Sequence, residues 1–195
     1  MEHYYSEKQT SPLRKKEITS ILRQNKLSFI TASGTFSLSR IDKGTELLIQ
    51  SCIIQPSWKI LDIGCGYGPV GISIAKAFPQ AEIMMADINE RALMIAKENS
   101  RLNKVNVQII KSDLYSNIDE KFDTILTNPP QTAGKDVCFK IIEGAKDHLK
   151  KEGLLQLVAR HNKGGKTLAK KMEEVFGNVK DTAKEAGYRV YVSKN

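Results

Sequence analysis

Apolar positions along the chain change character at Pro56. Ahead of it the pattern is mixed. In residues 13–26, Leu13, Ile18, Ile21 and Leu22 stand among basic residues and predict a short basic helix. Leu27, Phe29 and Thr31, then Thr35, Phe36 and Leu38, alternate about Ser33-Gly34 and read as a hairpin. The stripe from Gly44 to Ile54, with Leu47, Leu48 and Cys52, predicts a helix closed by Pro56. Residues 1–12 are polar, end in Ser11-Pro12 and read as a loose arm.

After Pro56 short apolar runs alternate with helical periodicity. Strands are expected at Lys59–Ile63, Glu82–Ala86, Val107–Ile110, Phe122–Leu126 and Leu154–Ala159. Helices are expected at Val70–Ala77, Glu90–Leu102, Lys135–Leu149 and Thr167–Phe176, the last stopped by Gly177. Val179–Thr182 and Tyr188–Val192 close the chain. Such alternation implies an α/β fold with a parallel sheet and helices on both faces. The link between the last two strands is too short for a parallel crossover, so one of them must run antiparallel. The expected organisation is a basic arm and hairpin over 1–45 and an α/β domain over 46–195.

Composition narrows the class. A chain of 195 residues, 41% hydrophobic, suits one domain with a substantial core. No apolar run approaches the roughly 20 residues of a membrane span, and the N-terminus lacks a secretory layout. Cys52, Cys65 and Cys138 are odd in number and widely spaced, which argues against a disulfide framework or a metal site and for the cytoplasm. The net charge of +8 collects at the ends, with 9 basic and 4 acidic residues in 160–195. A polyanionic partner is the simplest functional reading of that excess.

The unusual polar residues fall where an open α/β sheet binds ligands, at the carboxyl ends of its strands. Asp62 precedes Gly64-Cys65-Gly66-Tyr67-Gly68; Asp87-Ile88 ends the second strand; Ser112-Asp113-Leu114 follows the third; Asn128-Pro129-Pro130 follows the fourth. Glycine lets the backbone turn tightly and approach a ligand closely. The dinucleotide fingerprint fails because Pro69 stands where its third glycine belongs, which disfavours a nicotinamide cofactor. Asp87 is placed to accept hydrogen bonds from ribose hydroxyls, with Asn89 the better helix cap beside it. Asp113 sits where an adenine amino group would be read.

These motifs together resemble the class I S-adenosylmethionine-dependent methyltransferases, and most closely the small relatives of the ribosomal RNA small-subunit methyltransferase C family. Asp42-Lys43-Gly44-Thr45 and Gly187-Tyr188-Arg189-Val190 extend the resemblance over residues 25 to 195. It implies a Rossmann-like seven-stranded sheet of order 3-2-1-4-5-7-6 with the last strand antiparallel. It implies S-adenosyl-L-methionine as cofactor, held by Thr45, Asp62, Gly64, Cys65, Gly66, Gly68, Asp87, Ile88, Ser112, Asp113, Leu114 and Asn128. Asn128, Pro129 and Pro130 become the catalytic residues.

An Asn-Pro-Pro motif implies that the methyl acceptor is a nitrogen conjugated to a planar system. The Asn128 side-chain oxygen and the Pro129 carbonyl would accept its two hydrogens and stabilise the positive charge that develops. Gln131 stands where the family carries an aromatic that stacks on the target, so Phe29, Phe36, His161 and Tyr188 are candidates to replace it. The basic ends suggest RNA, ribosomal or transfer, with Gln131, Arg160, Lys163, Lys166, Arg189, Arg14, Lys15 and Lys16 as substrate contacts. The backbone of Lys163-Gly164-Gly165-Lys166 is a candidate phosphate holder. Guanine at its exocyclic amine is the expected target. A ring nitrogen, a protein glutamine amide and a non-catalytic RNA-binding module are the competing readings. A monomer or homodimer without metal or membrane attachment is expected.

Overall fold

The structure is a computed structural model and describes residues 7, 12–35, 37–130 and 134–195. The chain begins with two antiparallel strands, β1 (Lys15–Leu22) and β2 (Asn25–Ala32). Helix α1 (Lys43–Ser51) leads into the alternating part: β3 (Lys59–Ile63), α2 (Pro69–Ala77), β4 (Glu82–Asp87), α3 (Glu90–Leu102), β5 (Gln108–Lys111) and β6 (Phe122–Thr127). Then come α4 (Lys135–His148), β7 (Leu149–Arg160), α5 (Lys166–Phe176), β8 (Lys180–Glu185) and β9 (Tyr188–Lys194).

The sheet order is β5-β4-β3-β6-β7-β9-β8, which is the expected 3-2-1-4-5-7-6. β3 through β7 pair in parallel, and β9 runs antiparallel to both β7 and β8. The order reverses between β3 and β6, so a crevice opens above the carboxyl ends of those two strands. Strand residues alternate between two cores. Ile60 and Met85 belong to one with Leu48, Ile72 and Ile95; Leu61 and Met84 belong to the other with Ile141, Ile142 and Met172. Period-2 alternation on a sheet covered on both sides requires this division.

The N-terminal segment departs from expectation. No helix forms over residues 13–26, and the hairpin turns at Arg23-Gln24 rather than at Ser33-Gly34. Ile21, which suggests helical spacing beside Ile18 and Leu22, is 67% exposed. Arg23 and Gln24 both adopt positive φ, at 43° and 65°, without the glycine or asparagine that announces such a turn. Arg23 is held there by α1: Nε donates to the Ile49 carbonyl at 2.6 Å and the guanidinium also reaches the Cys52 carbonyl. A cation at the carbonyl end of a helix is favourably placed.

The hairpin joins the main core rather than standing apart. Leu22, Leu27 and Phe29 are buried in the same cluster as Ile60 and Val70. The outer edge of β2 is satisfied by two amides from α3. Asn99 accepts from the Ile30 N–H at 2.7 Å and donates to the carbonyls of Ile30 and Tyr67, each at 2.9 Å. Asn103 does the same for Ser28, accepting at 3.2 Å and donating at 2.8 Å. Replacing fully buried Asn99 by Ala strands one N–H and two carbonyls, each costing about 1–3 kcal/mol. We expect Asn99→Ala to lose about 3 kcal/mol or more in urea unfolding; a loss below about 1 kcal/mol would show that the hairpin is not tied down this way.

Candidate active site

The crevice is a cavity of about 390 Å³, of the size class that holds a cofactor. Four strand ends meet there. Gly64-Cys65-Gly66 follows β3, Asp87 ends β4 with Ile88 after it, Ser112-Asp113-Leu114 follows β5 and Asn128-Pro129-Pro130 follows β6. Val137 and Ile141 of α4 close the wall, while Asp42, Thr45, Arg160 and Tyr188 close the opposite end.

At the first end, Gly64 and Gly66 take positive φ of 70° and 57°, and a Cβ on either would meet no protein atom within 4 Å. The loop bows away from the protein and bares its backbone to the cavity. The Asp87 carboxylate fixes that loop, accepting from Gly66 N–H at 2.8 Å and from Asn89 N–H at 2.9 Å. Asn89 caps α3 through Ala92 N–H at 3.1 Å, as the sequence suggests. Asp62 lies beneath the loop, 2% exposed, and accepts from Gly71 N–H at 2.9 Å. Burial, opposed by that hydrogen bond and reinforced by the Asp87 charge, pushes the Asp62 carboxyl up to about 7. Burial also raises Asp87. No basic residue stands within ion-pair distance of Asp62, Asp87 or Asp113 among the described residues.

This donor set fits a cofactor that is cationic and carries hydroxyls but no phosphate. Three carboxylates give the wall negative potential, and the free lone pairs of Asp87 can accept from a ribose diol. Among the described residues no three His, Cys, Asp or Glu side chains converge as a metal site. Likewise, no helix among them is long and apolar enough to cross a membrane.

The other end is built around Asn128. Its Nδ2 donates to Thr45 Oγ1 at 2.9 Å and lies 3.4 Å from Asp42 Oδ2. Asp42 Oδ2 also caps α1, accepting from Gly44 N–H at 2.9 Å and Thr45 N–H at 3.3 Å. Asp42 Oδ1 accepts from the Tyr188 hydroxyl at 3.2 Å. A carboxylate only accepts, so the amide must turn its nitrogen toward Asp42 and leave Oδ1 as the acceptor for the cavity. Gly44 is required beneath Tyr188, since a Cβ there would stand 2.6 Å from the ring.

Most of the expected site residues line this cavity: Thr45, Asp62, Gly64, Cys65, Gly66, Asp87, Ile88, Ser112, Asp113, Leu114, Asn128, Pro129, Pro130 and Arg160. Gly68 does not. It begins α2 at φ 92°, where a Cβ would meet Met85 and Ile72, so it serves packing. Thr45 lines the acceptor end and bonds to Asn128. Of the candidates for stacking, Phe29 is fully buried and His161 bonds to the Tyr191 hydroxyl at 2.7 Å, both outside the cavity wall. Tyr188 remains, with the Arg160 guanidinium 5.0 Å from its ring centre. Gln131, Phe36 and residues 1–6 and 8–11 of the arm lie outside the described residues.

The basic residues disperse more than expected. Lys15 pairs with Glu98 at 2.6 Å and Arg189 with Asp181 at 2.5 Å. Arg14 and Lys16 are exposed at the start of β1, off the cavity wall. Lys163 and Lys166 also lie off it. The Lys166 N–H already bonds to the carbonyls of His161 and Gly164, which removes it from a backbone phosphate cradle. Asp42 is the functional residue that motif reading underrates. Its signal is a cap-forming aspartate just before the α1 stripe.

The methyltransferase small domain family matches residues 26–192. A Bacillus subtilis protein, YbxB, is 42% identical over 198 residues, covering 99% of this chain and 98% of its own. The ribosomal RNA small subunit methyltransferase C of Hamiltonella defensa is 36% identical over 165 residues, 83% of this chain. This chain spans about half the length of that relative, 48%. The T. thermophilus 16S rRNA N2 guanine methyltransferase (RsmC), solved with AdoMet and guanosine, superposes with a TM-score of 0.81 at 23% identity. The match covers 96% of this chain and 53% of that one, and shows a shared fold. With a family match over most of its length and a seven-stranded sheet that brings the motifs to one crevice, the chain belongs to the methyltransferase small domain family.

Proposed function

We propose that the protein transfers a methyl group from S-adenosylmethionine to the exocyclic amine of a guanine in ribosomal RNA. The observation that carries this reading is the Asn128 amide, held by Thr45 and Asp42 with its oxygen left for the cavity. Relatives named ribosomal RNA small subunit methyltransferase C, 34–36% identical, support RNA as the substrate class. The acidic end, with Asp62, Asp87 and Asp113, would hold the cofactor. When bound, S-adenosylmethionine supplies a methyl group on a positively charged sulfur.

Asn128 and Pro129 do the work at the acceptor end. An exocyclic amine is a poor nucleophile because its lone pair is delocalised into the ring. It has two hydrogens, which the Asn128 Oδ1 and the Pro129 carbonyl would accept. As the nitrogen gains bonding, its N–H groups become more acidic and these hydrogen bonds strengthen. That selective gain lowers the barrier without a strong general base; the carbon–sulfur bond breaks with its electron pair left on sulfur, and the methylated, cationic nitrogen then releases one proton to water. Alignment of the nitrogen supplies the rest. A base must leave its stack to enter such a cavity, which favours a loop or junction over a helix interior.

Labelled methyl transfer to small-subunit RNA lacking the modification, followed by nucleoside analysis, tests the reading. N2-methylguanosine is expected. A ring-methylated nucleoside would move the acceptor, and label in protein alone would replace RNA as the substrate.

Asn128→Ala should lower turnover about 10²–10³-fold while cofactor affinity stays nearly unchanged. Asp87→Ala should weaken cofactor binding in calorimetry. The Asp62 carboxyl, raised to about 7, is neutral below that pH and charged above it. Affinity for the cationic cofactor should therefore rise as pH goes from about 6 to about 8, and rise less for S-adenosylhomocysteine, which lacks the sulfonium charge. An equal rise in Asp62→Asn would remove Asp62 as the cause.

A further inference from the structure

A second recess opens off the acceptor end of the cavity. It is lined by the segment Ser37–Arg40, by Lys43 at the start of α1, and by Ala186 and Tyr188 on the closing hairpin. Asp42, Arg160 and Tyr188 belong to both spaces, whereas Asp62, Asp87 and Asp113 line only the first. The recess is therefore continuous with the place where the methyl acceptor sits and remote from the carboxylates of the cofactor end.

Three cations line this one recess. Arg40, Lys43 and Arg160 come from three separate places in the chain, and all are exposed. None has a carboxylate within ion-pair distance among the described residues. Asp42, the one acid lining the recess among the described residues, is engaged by Gly44, Thr45, Asn128 and Tyr188. It caps the α1 N-terminus, and its charge also acts on Arg160. Arg160 is braced over the Tyr188 ring, so its planar guanidinium is pre-positioned at the seam between the two spaces.

We propose that this recess is a phosphodiester site for the RNA strand that carries the target base, with Arg40, Lys43 and Arg160 as its cations. The inference rests on the RNA reading above. A base entering the cavity carries its sugar and phosphates behind it, and the recess is the adjoining space with the matching charge. Arg160 at the seam meets the phosphate nearest the extruded nucleotide. Arg40 and Lys43 meet its neighbours along the backbone. Such contacts fix the register of the strand and carry no base information.

The test uses the full chain, a fluorescent ten-nucleotide single-stranded RNA containing one guanine, and salt titration of binding by anisotropy. In R40A/K43A the slope of log affinity against log salt should be shallower by about 1.4, two contacts at about 0.7 each. Cofactor affinity by calorimetry should be unchanged, and R40K/K43R should restore the slope. An unaltered slope in R40A/K43A overturns the site. So does an equal loss in R40K/K43R, which would mean the segment rather than its charge matters. Preferential binding of an acidic peptide over RNA by the unmodified protein also overturns it. An unaltered slope with RNA still methylated by the unmodified protein sinks only the recess. Absence of RNA methylation by that protein sinks the functional reading itself.

Discussion

The carboxylate of Asp42 accepts from donors drawn from three distant parts of the chain. Gly44 and Thr45 N–H groups belong to α1, the Asn128 amide follows β6, and the Tyr188 hydroxyl begins β9. Each donor alone is ordinary, the first two being a helix cap worth about 1 kcal/mol. Their convergence on one acid does more. It fixes which way the Asn128 amide faces, because an acceptor-only partner admits only the nitrogen. It also fixes Tyr188 against Gly44, and Tyr188 in turn supports Arg160. The acceptor end of the cavity therefore depends on a helix cap.

The two ends of the cavity solve opposite electrostatic problems. At one end three carboxyl groups line the cavity, and burial raises two of them, Asp62 and Asp87. Such a wall gains from a cationic ligand. At the other end, among the described residues, Asp42 is engaged by four donors and the remaining charged side chains are basic.

Much of this was legible before the structure, and the reason is physical. β3, α3 and the motifs at the ends of β3 to β6 follow from period-2 and period-3.6 patterning, in which burial on two sheet faces dictates residue type. The N-terminal hairpin was not legible, because Ile21 is apolar yet exposed and Arg23-Gln24 turn without turn-forming residues. That turn depends on α1 carbonyls distant in sequence. Asn99 and Asn103 were hidden for a similar reason: on a helix pattern they read as surface residues, yet they close the edge of β2. Within the site, charge counting does not say which basic residues reach the cavity. Lys15 and Arg189 are spent on ion pairs, whereas Arg40 and Lys43, in a stretch of near-zero net charge, stand free. Net charge reports on composition, but availability depends on partners.

In the proposed function Thr45 and Asp42 orient the Asn128 amide, to which both are bonded. Thr45→Val keeps the shape of the side chain and removes the acceptor 2.9 Å from Asn128 Nδ2. Turnover under saturating cofactor and cofactor affinity by calorimetry, measured side by side on this variant, separate that orienting role from cofactor binding. The account predicts turnover reduced about tenfold or more, equivalent to about 1.4 kcal/mol of barrier, with cofactor affinity within about twofold. Weakened cofactor binding with turnover unchanged would contradict it.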